Sequence, residues 1–242
     1  MNIFFNGDSH TCGSELYYPK QDTYSYRLAN LLDSNVVGNL SMGGVSNDCI
    51  LNTTEEYLRK CKDTNVYPDL IVIGWSECRR FDWYYEGEYH TNGSTELLPE
   101  IANKLDSERY LYDNTVMRDP FMVYAMTKYY HNRIYNLHKK LEDMNIPHLF
   151  FMGVHSFYET IDIDDEFLPN SFNTKTTYNN HRLIHFDWNN RFWNPYEKLN
   201  GSFLSWGKNE GYTATPYHHL PKEAHLEFAH ILKDYLLSNS II

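Results

Sequence analysis

"IFFNGDSH", residues 3–10, decides how this chain is read. The apolar run Ile3-Phe4-Phe5 ends at Gly7-Asp8-Ser9-His10. A short apolar run closed by a glycine reads as a buried strand, here over residues 2–6. Taken alone, Ser9 is an ordinary turn serine that caps the next segment. Whether it is a nucleophile at the end of a strand depends on what surrounds it.

Working outward, strand and helix signals alternate. "DTYSYRLANLL", residues 22–32, sets Tyr24, Leu28 and Leu31 at helical spacing behind Asp22 as an N-cap. "NVVGNL", 35–40, reads as a second strand. Residues 46–63 read as a helix with Ile50, Tyr57 and Cys61 on one face. "DLIVIGW", 69–75, is the clearest buried strand in the chain. Asp119-Pro120 then signals a helix start, and Met126, Tyr130, Ile134, Leu137 and Leu141 continue it at three- and four-residue steps. "PHLFFMGV", 147–154, is another buried strand, and "RLIHFDW", 182–188, is expected to hold a fifth. A final helix starts at Pro221, with Ala224, Phe228, Ile231 and Tyr235 as its buried stripe. Such alternation implies a parallel sheet with helices on both faces and right-handed crossovers. Ligands in such sheets bind beyond the carboxyl ends of the strands, where Ser9 lies.

Composition narrows the function. The 242 residues suffice for one sizeable core, so one domain spanning 1–242 is expected, with aromatic-rich insertions around 81–118 and 155–215. A net charge of -11 repels nucleic-acid phosphate, so no nucleic-acid partner is expected. No apolar stretch reaches the roughly 20 residues of a membrane helix. No basic segment precedes the first strand, so the chain is expected to be cytoplasmic when made, with virion association as an alternative. Cys12, Cys49, Cys61 and Cys78 form no C-x-x-C pair, and reduced thiols are expected.

Four stretches should meet at the carboxyl edge of the sheet: Gly7 to His10, Gly43 to Asn47, Gly74 to Glu77, and the turn Tyr217-His218-His219-Leu220-Pro221. Their order and spacing resemble the SGNH, or GDSL, hydrolases. Gly7-Asp8-Ser9 matches the first motif, "NLSMGGVSND" resembles the second with its glycine at Gly44, "VIGWSE" falls at the third, and "HHLPKEAHLEFA" resembles the last motif and its helix. The resemblance implies a three-layer α/β/α fold of flavodoxin-like type with a mostly parallel sheet of about five strands. It also implies Ser9 as nucleophile, His219 as general base, and an oxyanion hole from Ser9, Gly44 and Ser76. Gly74-Trp75-Ser76 followed by Arg79 and Arg80 is similar to a divergent SGNH-like group of tailed-phage genomes, which implies an arginine's charge near the site.

Two positions depart from the pattern. Ser76 stands where the family places an oxyanion-hole asparagine, and Pro216 where it places the aspartate that orients the histidine. Asp187, Glu77, His218 or a backbone carbonyl are the candidates left to support His219. Asp8 is a further supporting candidate. Asn47 either reaches the site or caps the second helix, Gly44 serves at least its backbone angles, and His225 is structural. The aromatic stretches 81–90 and 188–206 are either sugar-stacking walls or loops packed over the sheet or a subunit contact. Asp8-x-His10 also begins metallophosphoesterases, but their remaining ligands are missing here, so no metal and no cofactor are implied.

The expected function is therefore a serine ester hydrolase for small O-acyl esters, including carbohydrate O-acetyl groups, acting on a small-molecule or glycan substrate. The alternative is a catalytically degraded SGNH-fold binding or structural protein, with a second copy or virion proteins as partners. An acyltransferase on the same scaffold is a third option.

Overall fold

The computed structural model describes residues 1–80, 82–85, 88–91, 120–158 and 183–242. In chain order the elements are β1 (Asn2–Gly7), α1 (Ser9–Cys12), α2 (Pro19–Asp22), α3 (Tyr24–Leu31), β2 (Asn35–Asn39), α4 (Asn47–Thr64), β3 (Leu70–Trp75), β4 (Asp82–Tyr85), β5 (Glu88–Thr91), α5 (Pro120–Asp143), β6 (His148–Met152), α6 (Phe203–Asn209) and α7 (Lys222–Ser238). Four strands form one parallel sheet in the order β2-β1-β3-β6, and β4 pairs antiparallel with β5.

Strand periodicity sorts the core into two layers. Ile3, Phe5, Leu70, Val72, Leu149 and Phe151 face α3, α6 and α7. Their neighbours Phe4, Ile71, Ile73, Trp75, Phe150 and Met152 face α4 and α5. Each is at most 1% exposed, so β1, β3 and β6 are covered on both faces, which is why they read as unbroken apolar runs. The three-layer α/β/α expectation holds.

Several local expectations do not. The segment expected to be one helix from Asp22 breaks at Thr23, which takes an extended backbone (φ -72, ψ 149). Asp22 therefore does not cap; its carboxylate pairs with Arg27 at 2.6 Å. The expected strand at 182–188 does not form over the described residues 183–188: the Phe186 N–H is taken by the Tyr196 hydroxyl (3.0 Å) instead of a neighbouring strand. Among the described residues only single bridges, Phe150 to Phe192 and Met152 to Ser202, extend the sheet beyond β6, so four strands are seen instead of five. Within the first aromatic insertion, β4 and β5 pair antiparallel, a regular element that the sequence analysis does not assign there. The remainder of that insertion, much of the second, and Asp119 lie outside the described residues.

Helix ends follow local chemistry. Ser46 caps α4, its hydroxyl accepting from the Asp48 and Cys49 N–H groups (3.1 and 3.3 Å). On α7, His225 is buried, takes the Tyr24 N–H on Nδ1 (3.3 Å) and stacks on the Tyr24 ring. That ties α7 to α3 and fits a structural role.

Candidate active site

The site is built at the carboxyl edge of the sheet, where Gly7 lies beside Gly74. Gly7 has φ 155, and a side chain there would collide with the Thr11 hydroxyl and the Gly74 carbonyl. The chain then turns sharply into α1. Asp8 caps it, with Oδ1 accepting the His10 N–H at 3.0 Å. Gly13, with φ 79, ends it one turn later, its N–H donating to the Ser9 carbonyl. Ser9 is thereby held on a tight turn directly past β1. None of the hydrogen bonds among the described residues uses the Ser9 hydroxyl, the Ser9 N–H or the Gly44 N–H. The Gly43-Gly44 loop lies over this turn, with Gly44 at φ 75. A Cβ on Gly43 would stand 4.0 Å from the Ser9 Cβ.

His219 arrives from the other end of the chain. Its Nδ1 lies 2.5 Å from Glu15 Oε2, a contact spanning 204 residues. An ionised carboxylate only accepts, so Nδ1 carries the proton and Nε2 presents its lone pair. The same carboxylate oxygen accepts the Thr215 hydroxyl at 2.6 Å, and that hydroxyl oxygen accepts the His219 N–H at 3.1 Å. The Thr215 hydrogen bond first, and His219 second, hold the Glu15 carboxyl below its usual range, despite some opposing desolvation. Thr215 N–H to His219 O, and His218 N–H to Thr215 O, close the turn at 2.9 Å each.

Glu15, which the sequence reading did not single out, is the acid that pairs with His219. Asp187, Glu77 and His218 all lie in other engagements. Asp187 accepts the Asn189 N–H, Glu77 forms an ion pair with Arg79, and His218 sits in the turn itself at φ 66. The backbone offers a signal in retrospect. Nine non-glycine described residues have positive φ; six are Asn or Asp, and two of the other three are Glu15 (φ 68) and His218. A glutamate in left-handed backbone is disfavoured by about 1–2 kcal/mol, and such outliers collect where geometry is imposed by function.

Beneath Ser9 the edge is buried and polar. Asp8 is wholly buried, and its side chain packs over Gly153, where a Cβ would stand 2.9 Å from Oδ2. Burial raises the Asp8 pKa, with the Arg80 charge pulling the other way. His10 packs edge-on to His219, ring centroids 5.2 Å apart. Burial and the neighbouring His219 push its pKa well down, so it stays neutral at pH 7. Among the described residues, Asp8 Oδ2, His10 Nδ1, Ser76 Oγ and Arg80 Nη1 are buried without a partner. Of the two arginines, Arg80 turns its charge toward Asp8 and His10, while Arg79 is spent on Glu77.

Asn47 does neither thing expected of it. Its carboxamide takes the Ser76 N–H (2.8 Å) and donates to the Ser76 carbonyl (3.0 Å). Donor and acceptor of one amide thus match those of one residue's backbone, locking the end of β3 to the start of α4. The Ser76 side chain is fully buried. The second aromatic stretch is also mostly core: Trp188, Phe192, Trp193, Phe203 and Trp206 are at most 5% exposed. Those rings pack over the sheet from loops and from α6, and a sugar-stacking wall is not built from them. Side chains of 83–90 lie outside the described residues.

Residues 6–241 match a family model described as "Family of unknown function (DUF6071)". No curated protein matches the sequence. Among solved structures, the lipase Lip_vut3 from a goat rumen metagenome superposes with a TM-score of 0.53 at 13% identity, over 97% of each chain. A member of the lipolytic protein G-D-S-L family from Veillonella parvula DSM 2008 aligns with a TM-score of 0.40 at 14% identity, over 98% of this chain and 97% of that one. The first of these likenesses establishes that the chain shares the α/β fold of a lipase.

Proposed function

We propose that this chain, which belongs to the DUF6071 family, is a serine ester hydrolase whose triad is Ser9, His219 and Glu15. The observation that carries the reading is the 2.5 Å contact of His219 Nδ1 with Glu15 at the edge where Ser9 ends its strand. The Ser9 hydroxyl attacks the ester carbonyl while His219 Nε2 accepts its proton. Glu15 holds the imidazole in the required tautomer and stabilises the imidazolium. The Ser9 and Gly44 N–H groups, unengaged among the described residues, are placed in the oxyanion role, with Ser76 as a third donor. His219 then returns its proton to the departing alcohol. Water, deprotonated by His219, cleaves the acyl-enzyme and releases the acid.

The substrate class we assign is a small O-acyl ester on a carbohydrate. Tyr17 (85% exposed) lies two residues past Glu15, and Tyr217 (73% exposed) two residues before His219. Exposed tyrosines this near in sequence to the acid and the histidine suit the CH faces of a sugar ring, with the hydroxyls left for polar contacts. The test is a fluorophosphonate probe read by intact mass on wild type and Ser9→Ala. One adduct on wild type and none on the variant is the expected result. The second reading, a binding protein on a degraded site, is favoured by the absence of an oxyanion asparagine at Ser76. It gains the ground if folded wild type takes no adduct while a control hydrolase does.

A further inference from the structure

Glu15 and His219 meet across 204 residues, and one side chain bonds to both. The Thr215 hydroxyl donates to Glu15 Oε2 at 2.6 Å and accepts the His219 N–H at 3.1 Å. A hydroxyl has a single proton to give. The His219 N–H only donates, so it takes a lone pair of that oxygen and leaves the proton for Glu15. One orientation of the hydroxyl therefore satisfies both neighbours. Thr215 also closes the turn through its backbone. Its N–H donates to the His219 carbonyl, and its carbonyl accepts the His218 N–H, at 2.9 Å each. Those two bonds do not need the side chain. The hydroxyl does something else: it couples the turn that carries His219 to an acid from the other end of the chain.

Glu15 needs such a hold. Its backbone is flanked by two fixed links, the Ser14 N–H on the Ser9 carbonyl (2.9 Å) and the Leu16 N–H on the Gly13 carbonyl (3.1 Å). Its side chain is flexible and 32% exposed, so water competes for the carboxylate. Oε2 accepts from both His219 Nδ1 and the Thr215 hydroxyl. On the His219 contact alone the carboxylate would pivot. The second donor fixes the direction from which it meets the imidazole. The Thr215 hydrogen bond is also the largest influence keeping Glu15 ionised, ahead of His219.

We propose that Thr215 is a positioning residue whose hydroxyl orients the Glu15 carboxylate on His219 Nδ1, and through it the imidazole that serves Ser9. The hold on Glu15 stands on its own bonds; the effect on catalysis rests on the reading of Ser9, His219 and Glu15 as a triad. Pro216, at the position where the expected acid is absent, follows directly on this clamp. The turn thus supplies no acid of its own and instead grips one brought from Glu15.

The test pairs a readout without turnover with one that needs it. In Ser9→Ala protein, a carbon-13 NMR titration follows the Glu15 carboxyl. A hydrogen bond to the ionised form lowers a carboxyl pKa, so its loss raises it. Adding Thr215→Val, which keeps the shape and removes the hydroxyl, should move the Glu15 midpoint up toward the usual carboxylate range, and Thr215→Ser should restore it. With Ser9 present, Thr215→Val should lower kcat for p-nitrophenyl acetate by about ten- to a hundredfold, the effect of one hydrogen bond to a charged group. KM should stay unchanged, and Thr215→Ser should recover the rate. On a Glu15→Gln background Thr215→Val should cost little more, because it acts through Glu15. If Thr215→Val does not fold, Thr215→Ala also lacks the hydroxyl, keeps both backbone bonds and takes its place. An unmoved Glu15 midpoint overturns the proposal. So does a kcat loss that repeats in full on Glu15→Gln, which would make Thr215 only a brace of the turn. A wild type that turns over no ester contradicts the triad reading instead, and the titration alone then upholds or overturns the hold of Thr215 on Glu15.

Discussion

Two histidine-bearing clusters in this protein are built from similar residues and end in opposite states. At Tyr196 the polar groups pair with one another. The Tyr196 oxygen accepts the Phe186 N–H and the Trp188 indole N–H at 3.0 Å each, and gives its own proton to His131 Nε2 at 2.7 Å. His185 stacks on the same ring, and Phe186 on His131. At the Ser9 edge polar groups are left open. The serine hydroxyl and two N–H groups have no partner among the described residues, and four buried polar atoms are equally unmatched. Leaving a buried polar group unpaired costs about 1–3 kcal/mol, so a fold does not accumulate them without reason. The closed cluster is scaffold. The open one is the edge to which the proposed ester hydrolysis is assigned.

The comparison predicts that damage at the two places registers in different measurements. The largest effect is expected at the open edge: His219→Gln should lower ester turnover by about 10⁴- to 10⁶-fold, as loss of a triad member does elsewhere, while the urea midpoint moves little. A His219→Gln protein that turns over normally but unfolds early would reverse the assignment of scaffold and site.

Next in size is a pH effect from the closed interior. Burial depresses the pKa of His131 and His148 to about 4 and that of His225 to about 3. The unfolded chain binds protons on these groups near pH 6.5 and the folded protein does not. Stability is therefore complete above about pH 6.5 and falls as the pH drops toward 4, by of order 3 kcal/mol per histidine. Urea denaturation from pH 7.5 to 4.5 should show this decline, and His225→Gln should flatten the slope by up to one proton. A midpoint that holds constant down to pH 4.5 would mean these rings are not held neutral.

Smaller still, Tyr196→Phe strands two N–H donors and should cost about 2 kcal/mol or more, read by chemical denaturation, with turnover unchanged. The smallest effect belongs to the seam between the two kinds of region. Asn47→Ser puts a neutral, shorter hydroxyl where the carboxamide clasps the Ser76 N–H and carbonyl. It should cost about 1 kcal/mol and lower turnover only severalfold, through a looser Ser76. A loss of turnover as large as that of His219→Gln would move Asn47 from brace to catalytic group.

The sequence made some of this legible and hid the rest for identifiable reasons. β1, β3, β6, α5 and α7 were readable because their apolar residues recur at strand or helix spacing, although the buried stripe of α7 runs Ala224, Phe228, Leu232 and Leu236, with the expected Ile231 and Tyr235 half-buried beside it. Residues 182–188 carry strand-like composition, yet the Tyr196 hydroxyl claims the Phe186 N–H from ten residues away, which no local pattern records. The rings of 188–206 looked like a binding wall and are core, because aromatic residue type does not tell inside from outside. Glu15 was hidden by distance. The expected acid was sought three residues before His219, where Pro216 stands. The chain instead supplies it 204 residues earlier, through a Gly13 turn that brings Glu15 back to the 215–219 turn. An acid a few residues beyond the Gly7-Asp8-Ser9 turn is the local signal the sequence carries for it.

The central claim is that Glu15 completes a working triad. It is tested most directly by steady-state hydrolysis of p-nitrophenyl acetate by wild type, Ser9→Ala and Glu15→Gln, with melting temperatures alongside. Glu15→Gln keeps the shape and removes the charge that fixes the His219 tautomer. A drop in kcat of about 10³- to 10⁴-fold at unchanged stability is the predicted result. Near wild-type turnover in Glu15→Gln, with Ser9→Ala inactive, would contradict it and leave His219 to act without this acid.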